Sequence, residues 1–415
     1  MKKKKILTIG STERTGGAAG VSWDIAEKLR SEDYWVRHMV GYKTSNNKYV
    51  YQFKQPKILQ TLDKITKINV VSFFRELRSY IFANDIDFGV TNELLQHPWY
   101  KEADVIHLHN LHGDFLNLKT LIEVSKNKSV IWTLHDMWPF TGHCTHSFSC
   151  NRWQKGCGSC PNLKTYRPQA WDNTANIFNK KKIIYQKSKL NIVAPSQWLY
   201  KKLNKSIFKN QSKHLIYNGI DTHIFKIVSA KKAKQKLKLP INKKTILFVA
   251  HGGKSNVFKG GEYLDFLVKM YKSNPDILFV CIGEERKNLP QETNIIYLPH
   301  IKDQKKLSLY FSAADIFLFT SQAENCPLVV LEALSAGVPI LSFPIGGIPE
   351  IIEHKKNGYL SKINDKTDLQ KGVNYLLNMK DEEVDLMKKN NRKKALKYFS
   401  TEKMVDSYKK IYEQI

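Results

Sequence analysis

The sequence predicts an α/β protein built from two doubly wound domains, each with a parallel sheet. Its 415 residues exceed what one hydrophobic core usually fills, so two domains are expected. Short, β-branched apolar runs alternate with helical patterns, as buried parallel strands alternate with their crossover helices. This alternation stops at a polar, lysine-dense stretch and then restarts, which predicts a second domain of the same kind.

The first domain is predicted over residues 1–221 and contains five apolar runs that read as strands. These are Ile6–Ile9, Val36–Val40, Val105–Leu108, Val130–Leu134 and Ile192–Ala194. Helical patterns lie between several of them, including 21–30 and 115–125. Residues 44–100 form a long connection, and a cysteine-rich insertion occupies 137–170. Connections of this length in α/β folds usually carry function.

Residues 222–244 are predicted as a linker, because they are polar, rich in lysine and interrupted by Pro240. The second domain, 245–398, restarts the pattern with five more predicted strands. These are Thr245–Ala250, Ile277–Ile282, Asn294–Leu298, Ile316–Thr320 and Val338–Phe343. Helices are predicted to begin near Gly260, Asp303 and Pro327, and a final helix covers 399–415.

The chain carries a formal net charge of +28, from 66 Lys and Arg against 38 Asp and Glu. One interpretation is a solvated, lysine-rich surface without a special role. The other is attraction to membrane lipid, a phosphorylated acceptor or nucleic acid; nucleic acid is not expected, since no binding motif accompanies the lysines. No apolar run can span a bilayer, and 6–9 is too short for a signal-peptide core, so a cytoplasmic protein is expected.

The long connection of the first domain mixes basic and aromatic residues. The basic ones are Lys48, Lys54, Lys57, Lys64, Lys67, Arg75 and Arg78, and the aromatic ones are Phe53, Phe73, Phe74 and Tyr80. Basic side chains can meet lipid headgroups while aromatic rings reach the membrane interface. This mixture predicts a peripheral contact with the anionic inner face of the cell membrane.

Two carboxylates separated by seven residues, Glu324 and Glu332, form the strongest motif. Glu324 follows the predicted strand 316–320, and Glu332 is expected two turns along the next helix. Parallel sheets bind ligands at this edge, helix N-termini offer amides to phosphate, and carboxylates accept hydrogen bonds from paired sugar hydroxyls. The spacing alone would also fit an ordinary surface helix.

Together with Ala314-Asp315 and the run 332–339, these residues resemble glycosyltransferase family 4, whose E-x₇-E motif they match. The segment 133–144 resembles bacterial exopolysaccharide and lipopolysaccharide enzymes of that family. The resemblance implies a GT-B architecture, with two Rossmann-like domains facing across a cleft and a last helix that returns to the first domain. It also implies retaining transfer from a nucleotide sugar, without a catalytic metal, with the acceptor on the first domain.

The resemblance assigns roles to the motif residues. In the family the second glutamate holds the donor ribose and the first contacts the transferred sugar. Glu332 is therefore assigned to the ribose and Glu324 to the sugar, as a catalytic residue. Their neighbours in the motif are assigned to donor binding: Asn325, Cys326 and Leu328.

A loop rich in glycine and lysine, 251–261, follows the first strand of the second domain. Glycines allow close backbone approach to a diphosphate, and lysines offset its charge. The resemblance places Lys259 at the donor and gives it a catalytic role in supporting the leaving diphosphate. It places Lys254 and Gly253 at the donor as well, although either lysine could simply be solvated. A glycine pair at 346–347 would turn sharply beside the same site.

The first domain offers further candidates. The glycine-rich loop after its first strand lacks the ordered G-x-G-x-x-G of dinucleotide binders. In the family such a loop touches the donor phosphate or the acceptor. The resemblance makes Gly16 and Gly17 candidates for donor binding, with a plain turn as the alternative. Four histidines lie at the ends of the next predicted strands: His107, His109, His112 and His135.

Two of these histidines can simply pack. Side chains alternate along a strand, so His107 and His109 share one orientation. His112 lies past the strand end, and the resemblance favours it as the catalytic histidine that contacts the transferred sugar. His109 or His135 is the fallback for this role.

The insertion holds four of the six cysteines, at Cys144, Cys150, Cys157 and Cys160. The last pair has the spacing of metal ligands, and four thiolates would complete a structural zinc site. A loop with so little apolar material needs such a fastening. Disulfides are disfavoured in a reducing cytoplasm, and free cysteines remain the alternative.

The sequence thus predicts a glycosyltransferase that moves a sugar from a nucleotide-sugar donor to a saccharide or lipid-linked acceptor, in cell-surface polysaccharide biosynthesis. Two alternatives stay open. One is a nucleotide-sugar epimerase or phosphorylase of the same architecture, which would lack the E-x₇-E context. The other is a non-catalytic basic binding module.

Overall fold

The computed structural model describes residues 3–54, 70–87, 91–113, 115–165, 168–250, 257–283 and 294–415. The chain divides into two compact units, which we call the first unit (Met1–Ile216 with Val405–Ile415) and the second unit (Tyr217–Met404). Each unit contains one sheet. All strand pairings are parallel, which confirms the predicted α/β class with two doubly wound sheets.

The first unit has a seven-stranded sheet in the order β3-β2-β1-β4-β5-β6-β7. The strands are β1 (Ile6–Thr12), β2 (Val36–Tyr42), β3 (Val50–Gln52), β4 (Val105–Leu108), β5 (Ser129–Thr133), β6 (Asn191–Ala194) and β7 (Ser212–Leu215). The strand order changes direction at β1, as in other doubly wound sheets. The short edge strands β3 and β7 were not predicted, because they lack a run of apolar residues.

Helices cover both faces of this sheet. They are Gly17–Ser31, Val70–Phe82, Asn92–Gln96, Pro98–Glu102, Thr120–Asn127, Thr174–Gln186 and Gln197–Leu203. The helix predicted over 115–125 begins later than expected. Its apolar start is instead an irregular segment in which Phe115, Leu116 and Leu118 are buried.

The final helix, Thr401–Gln414, supplies two tyrosines to the core of the first unit. The Tyr412 hydroxyl lies 2.8 Å from His107 Nδ1, and the Tyr408 hydroxyl lies 2.8 Å from Thr133 Oγ1. Both tyrosines are fully buried. The end of the chain is therefore part of the polar interior beside β4 and β5.

The second unit has a six-stranded sheet in the order β10-β9-β8-β11-β12-β13. The strands are β8 (Lys244–Val249), β9 (Ile277–Ile282), β10 (Ile295–Leu298), β11 (Ile316–Phe319), β12 (Ile340–Ser342) and β13 (Gly358–Leu360). The helices are Ala230–Leu237, Gly261–Met270, Gln304–Ala313, Leu328–Ser335, Ile348–Ile351, Lys366–Leu377 and Asp381–Tyr398. Large aliphatic and aromatic side chains fill its core.

Residues 222–244, predicted as a linker, instead belong to the body of the second unit. Phe225 is buried, and the helix 230–237 turns Lys234 inward. The Lys234 amine bonds the Asp315 carboxylate at 3.1 Å and a backbone carbonyl at 2.6 Å. The lysine-rich composition concealed this packing, because a lysine stem can be buried when its amine finds partners.

No helix of the described residues is long and apolar enough to cross a membrane. The helix 70–82 does expose a row of large apolar side chains: Phe73, Phe74, Leu77, Tyr80, Ile81 and Phe82, each 39–59% exposed. Phe53, which was predicted to share this surface, is buried and lies against Phe115, with 5.8 Å between ring centroids. That part of the prediction was wrong, because the edge strand β3 directs the residue after it into the core.

Candidate active site

Three loops of the second unit follow neighbouring parallel strands, β8, β11 and β12, and come together at the carboxyl edge of the sheet. Lys259 lies in a short 3₁₀ turn after β8, and Glu324 lies after β11. Their Nζ and Oε1 atoms are 2.5 Å apart. The Glu324 side chain is 13% exposed and that of Lys259 is 28% exposed, so both remain accessible to a ligand. The structure therefore brings two predicted catalytic residues into one ion pair.

Glycines fix these loops by close backbone contact. Gly260 has φ +69°, and a Cβ there would lie 2.1 Å from the Thr320 carbonyl oxygen. Gly346 has φ +52°, and a Cβ there would lie 2.0 Å from the Glu324 carbonyl oxygen. Only glycine fits where the backbone is left-handed and this tightly packed. The glycine pair at 346–347 thus sets the position of the main chain at Glu324.

Glu332 lies on the helix 328–335 and is half-buried. The helix begins at Leu328, so Glu332 is just over one turn along it; the expected two turns were wrong because residues 324–327 are not helical. Neighbouring residues such as Leu331 and Leu334 are buried against the sheet. The carboxylate of Glu332 is therefore carried by a well-anchored helix.

The motif residues between the glutamates mostly serve packing. The Asn325 carbonyl accepts a hydrogen bond from Gly347 N at 2.9 Å, and the Cys326 carbonyl accepts one from Asn218 Nδ2 at 2.9 Å. Burial raises the pKa of the Cys326 thiol to about 12, so the thiol stays neutral. Leu328 is half-buried at the helix start. The donor contact predicted for Cys326 therefore stays a prediction.

Two of the predicted donor-binding residues, Gly253 and Lys254, lie outside the described residues. The two in the first unit are described. Gly16 has φ +88° and caps the helix that Gly17 begins, and a Cβ at either would meet nothing within 4 Å. Their backbone is thus open to a ligand, as the prediction requires.

A carboxylate that the prediction missed organises this glycine loop. Glu13 is fully buried and accepts hydrogen bonds from the amides and hydroxyls of Thr44 and Ser45 at 2.6–3.1 Å. Burial alone would raise the pKa of the Glu13 carboxyl, but these hydrogen bonds outweigh it and hold that pKa below its ordinary value. The loop after β1 is therefore tied to the loop after β2.

His107 and His109 are packing residues, as their shared orientation suggested. His107 is fully buried, and its Nε2 lies 2.8 Å from Thr133 Oγ1. Burial lowers the pKa of His107 to about 3. His109 Nδ1 lies 2.9 Å from His135 Nε2, and burial lowers the pKa of His135 to about 4. Such histidines stay neutral at physiological pH.

His112 differs from these histidines, because it pairs with a carboxylate near the surface. Its Nε2 lies 3.3 Å from Asp136 Oδ2, and the two side chains are 12% and 19% exposed. His112 follows β4 and Asp136 follows β5, so the parallel pairing of these strands places both at one edge of the first sheet. The structure thus gives the favoured histidine a partner that the prediction did not assign.

A buried lysine supports the segment that carries Asp136. Lys181 is fully buried; its amine donates to the carbonyls of Trp138 at 2.6 Å and Thr141 at 3.1 Å. Burial lowers the pKa of Lys181 to about 8, and the charge of Asp85 opposes this shift. Asp85 also accepts a hydrogen bond from Trp138 Nε1 at 2.6 Å. The sequence carried no signal for this contact, because Lys181 and Asp85 are far from the segment along the chain.

The four cysteines of the insertion are all half-buried and none is in a disulfide. They line one small cavity together with His143. Across the described part of the chain, no three His, Cys, Asp or Glu side chains are grouped so that they could hold a metal ion as they stand. The structure therefore places the predicted cysteines together without completing a metal geometry.

Two family models match the chain. The model of Glycosyltransferase Family 4 matches residues 15–224, half of the chain, and that of Glycosyl transferases group 1 matches residues 229–394. The chain belongs to glycosyltransferase family 4. The predicted resemblance and the predicted enzyme class are thereby confirmed, and neither the epimerase or phosphorylase nor the non-catalytic binding module is favoured.

Relatives of this family 4 glycosyltransferase include enzymes of surface polysaccharides. A protein of Escherichia coli strain K12 named as a colanic acid biosynthesis glycosyl transferase, WcaC, is 25% identical and covers 96% of this chain and 97% of its own length. The Escherichia coli UDP-Gal:alpha-D-GlcNAc-diphosphoundecaprenol alpha-1,3-galactosyltransferase is 30% identical over 33% of this chain and 37% of its own.

A solved structure shows the same fold. The Anabaena protein HepE, solved in complex with UDP-glucose, has a TM-score of 0.64 and 16% identity, and covers 99% of this chain and all of its own length. This likeness confirms the GT-B fold of the family 4 glycosyltransferase.

Proposed function

We propose that this enzyme transfers a sugar, with retention of configuration, from a nucleotide-sugar donor to a saccharide or lipid-linked acceptor of surface polysaccharide biosynthesis. The observation that carries the proposal is the Lys259–Glu324 ion pair at the carboxyl edge of the second sheet, 2.5 Å apart and partly exposed. Glycosyl transfer from a nucleotide sugar needs a fixed cation for the diphosphate and a carboxylate for sugar hydroxyls. Both occur here within one rigid set of loops.

Lys259 is proposed to stabilise the leaving diphosphate. An ammonium group has three donors, so Lys259 can keep its bond to Glu324 and still donate to phosphate oxygens. Negative charge on the diphosphate grows as the sugar departs, so a preorganised cation binds the transition state better than the ground state. This supplies charge stabilisation from the chain itself, and we propose that no catalytic metal is needed.

Glu332 is proposed to hold the ribose of the donor, with Gly16 and Gly17 offering open backbone to its phosphates. His112, oriented by Asp136, is proposed as the contribution of the first unit to contacts with the transferred sugar. The pairing at 3.3 Å keeps the imidazole in one orientation, which a group that contacts a reacting sugar requires.

The donor proposal can be tested by thermal shift with a panel of nucleotide sugars. A ligand that binds only the folded protein raises its Tm, and UDP-sugars come first because one relative carries UDP-galactose in its name. Glu332→Ala should abolish the shift without unfolding the free protein, because the Glu332 side chain is half-buried and lies outside the apolar core. The control Glu382→Ala removes an exposed glutamate of the helix 381–398 and should keep the shift. A full shift in Glu332→Ala would contradict the ribose assignment.

The role of Lys259 calls for kinetics. Lys259→Ala should lower kcat for donor hydrolysis by about 100-fold while KM changes less, because the lost interaction strengthens toward the transition state. Lys272→Ala, which removes an exposed lysine of the same unit, serves as the control. If kcat is unchanged in Lys259→Ala, other groups of the loop stabilise the charge of the leaving diphosphate.

We further propose that the enzyme meets a lipid-linked acceptor by lying against an anionic membrane. The helix 70–82 supports this, because Phe73 and Phe74 are 59% and 47% exposed on the same helix as the half-buried Arg75 and Arg78. The excess of cations over the whole chain favours an anionic leaflet, at about 1 kcal/mol for each cation near the surface. Of the lysines in this prediction, Lys48 and Lys54 are exposed, while Lys57, Lys64 and Lys67 lie outside the described residues.

Co-sedimentation with lipid vesicles tests this contact. Binding to vesicles with anionic lipid should fall steeply with ionic strength, and neutral vesicles should hardly bind. The double variant Phe73→Ser/Phe74→Ser should bind about thirtyfold more weakly, since each of the two rings that leave water contributes on the order of 1 kcal/mol. Leu386→Ser, at a residue 60% exposed in the second unit, is the matched control. Equal binding to neutral and anionic vesicles would contradict this membrane contact. The net charge would then be interpreted as that of a solvated, lysine-rich surface.

A further inference from the structure

The cysteine insertion encloses a cavity with room for about one small ion. The cavity measures about 20 Å³, slightly more than the space that one water-sized probe needs. Its walls carry the four thiols at 144, 150, 157 and 160 and the imidazole of His143. Five groups that ligate soft or borderline metals thus surround a single small space.

One pair of these groups already has the separation of two ligands on one metal ion. His143 Nε2 lies 3.5 Å from Cys160 Sγ. Zinc bonds of about 2.05 Å to nitrogen and 2.3 Å to sulfur at a tetrahedral angle place the two atoms about 3.6 Å apart. His143 is 1% exposed, so its ring is held in this position by the surrounding protein.

The surroundings of this pair resemble the outer shell of a metal site. Asp172 accepts a hydrogen bond from Cys160 N at 2.6 Å, and the charges of Asp172 and His143 interact. Gly142 N donates to Cys157 Sγ at 3.2 Å. Carboxylates beside ligating histidines and amides bonded to sulfur are the contacts that orient ligands and stabilise thiolates.

The remaining thiols lie in the wall of the same cavity, and their side chains would have to rotate to meet one ion. A divalent ion would bind these thiols as thiolates, because it displaces the thiol proton.

We propose that this insertion binds one structural zinc ion through His143, Cys160 and two of the other three thiols. The ligand set is thus three sulfurs and one nitrogen, in place of the four thiolates that the cysteine spacing predicts. His143 was not predicted, because a single histidine before Cys144 gives no spacing signal of its own.

The zinc fastens a loop that carries part of the candidate active site. Met137 N donates to the Thr145 carbonyl at 2.8 Å, which closes the segment between Asp136 and the ligands. Gly142 is pressed against the helix 174–186, where a Cβ would lie 2.5 Å from the Thr174 carbonyl oxygen. Zinc therefore positions the segment that carries Asp136. The zinc site itself is independent of which substrate the enzyme uses.

Metal analysis of the full chain tests the site directly. Protein purified without chelator, or reloaded with zinc under reducing conditions, should contain about one zinc per chain. His143→Gln and Cys160→Ser should each bring this close to zero, and Cys281→Ala, which removes a buried thiol of the second unit, should leave it unchanged. Full zinc content in His143→Gln would overturn the ligation by His143.

Replacement of zinc by Co²⁺ tests the ligand set in the wild-type protein. The result therefore does not depend on whether a variant folds. The ligand-field bands of tetrahedral Co²⁺ with three sulfurs and one nitrogen differ from those with four sulfurs, and a four-sulfur spectrum would contradict the proposal. Metal-free protein after reloading would also overturn it. In that case thiol titration separates free cysteines from disulfides.

Discussion

The carboxyl edges of the two sheets fix their polar side chains by different means. In the second unit, glycines at 260 and 346 press main chain against main chain, and the Lys259–Glu324 pair follows from that packing. In the first unit, Asp136, the partner of His112, lies in the long segment after β5. Side chains hold this segment in place, and the Lys181 amine donates to two of the segment's carbonyls. One edge is set by contacts between main-chain atoms and the other by a buried side chain that bonds main-chain carbonyls.

The two units also differ in their histidines. Among the described residues, every histidine whose pKa is lowered lies in the first unit: His38, His97, His107, His109, His135, His146 and His214. In each case burial is the main cause, because it disfavours the charged imidazolium. The first unit therefore contains a set of histidines whose burial favours the neutral form.

The largest expected difference between the two units is in their stability at low pH. Burial lowers the pKa of His38 to about 4 and that of His107 to about 3, from 6.5 in the unfolded chain. The unfolded state binds more protons below pH 6.5, so this stability is complete above that pH and is lost as the pH falls toward 4. At pH 5 each of the two histidines should cost about 2 kcal/mol relative to pH 8.

Hydrogen exchange of the full chain, corrected for the intrinsic rate at each pH, measures this difference. Peptides of the first unit should lose protection between pH 8 and pH 5 before those of residues 217–404. Earlier loss in the second unit would show that the histidines do not govern acid stability.

The next largest effect is expected at the buried lysine. Lys181→Met keeps the stem but removes both hydrogen bonds to carbonyls and the cation beside Asp85, at a cost of about 3 kcal/mol in the free energy of unfolding. Lys180→Met is the matched control, because Lys180 is 36% exposed and pairs with Asp87 at the surface. It should cost less than about 1 kcal/mol in urea unfolding. Equal losses in the two variants would show that the Lys181 contacts contribute little.

A smaller effect on stability tests the backbone packing at the carboxyl edge of the sheet in the second unit. Gly346→Ala forces a Cβ toward the Glu324 carbonyl at a left-handed φ, and should cost about 2 kcal/mol. Gly17→Ala adds a Cβ in open space at a helix start, so the free energy of unfolding should change by less than about 0.5 kcal/mol. If Gly346→Ala is as stable as the wild type, the loop is more pliable than the structure indicates.

The smallest expected effect concerns the His112 partner. Asp136→Asn keeps an oxygen for Trp138 N, which now donates to Oδ1 at 2.9 Å, but places an amide group near His112 Nε2. We expect kcat of sugar transfer or donor hydrolysis to fall about tenfold, or 1.4 kcal/mol, with little change in stability. An unchanged rate would leave Asp136 as a purely structural residue of the loop.

The sequence predicted the strands of both sheets because their apolar, β-branched runs are local signals. β4 and β9 match their predicted bounds, and the edge strands β3 and β13 were missed because short strands lack such runs. The helix 230–237 was missed because lysine composition outweighed the few apolar residues that pack. Burial of Lys234 depends on Asp315, which no local pattern connects to it.

The candidate site was predicted to the extent that its residues lie in one motif. Glu324 and Lys259 were found through the resemblance, and the structure adds that they touch. Asp136 and Lys181 were not assigned, because their roles arise from contacts across the fold and leave no spacing in the sequence. His143 was not predicted for the same reason, since its imidazole lies beside the thiol of Cys160, 17 residues along the chain.

The first unit is discontinuous along the chain, and this bears on how a ribosome makes it. His107 and Thr133 emerge early, but the hydroxyls of Tyr412 and Tyr408 that bond them are synthesised only after the whole of residues 217–404. Until then, a nascent chain has an uncovered polar gap beside β4 and β5. Incompletely packed intermediates are prone to aggregate and depend on chaperones, so the packing of the helix 401–414 ends a period of exposure during synthesis.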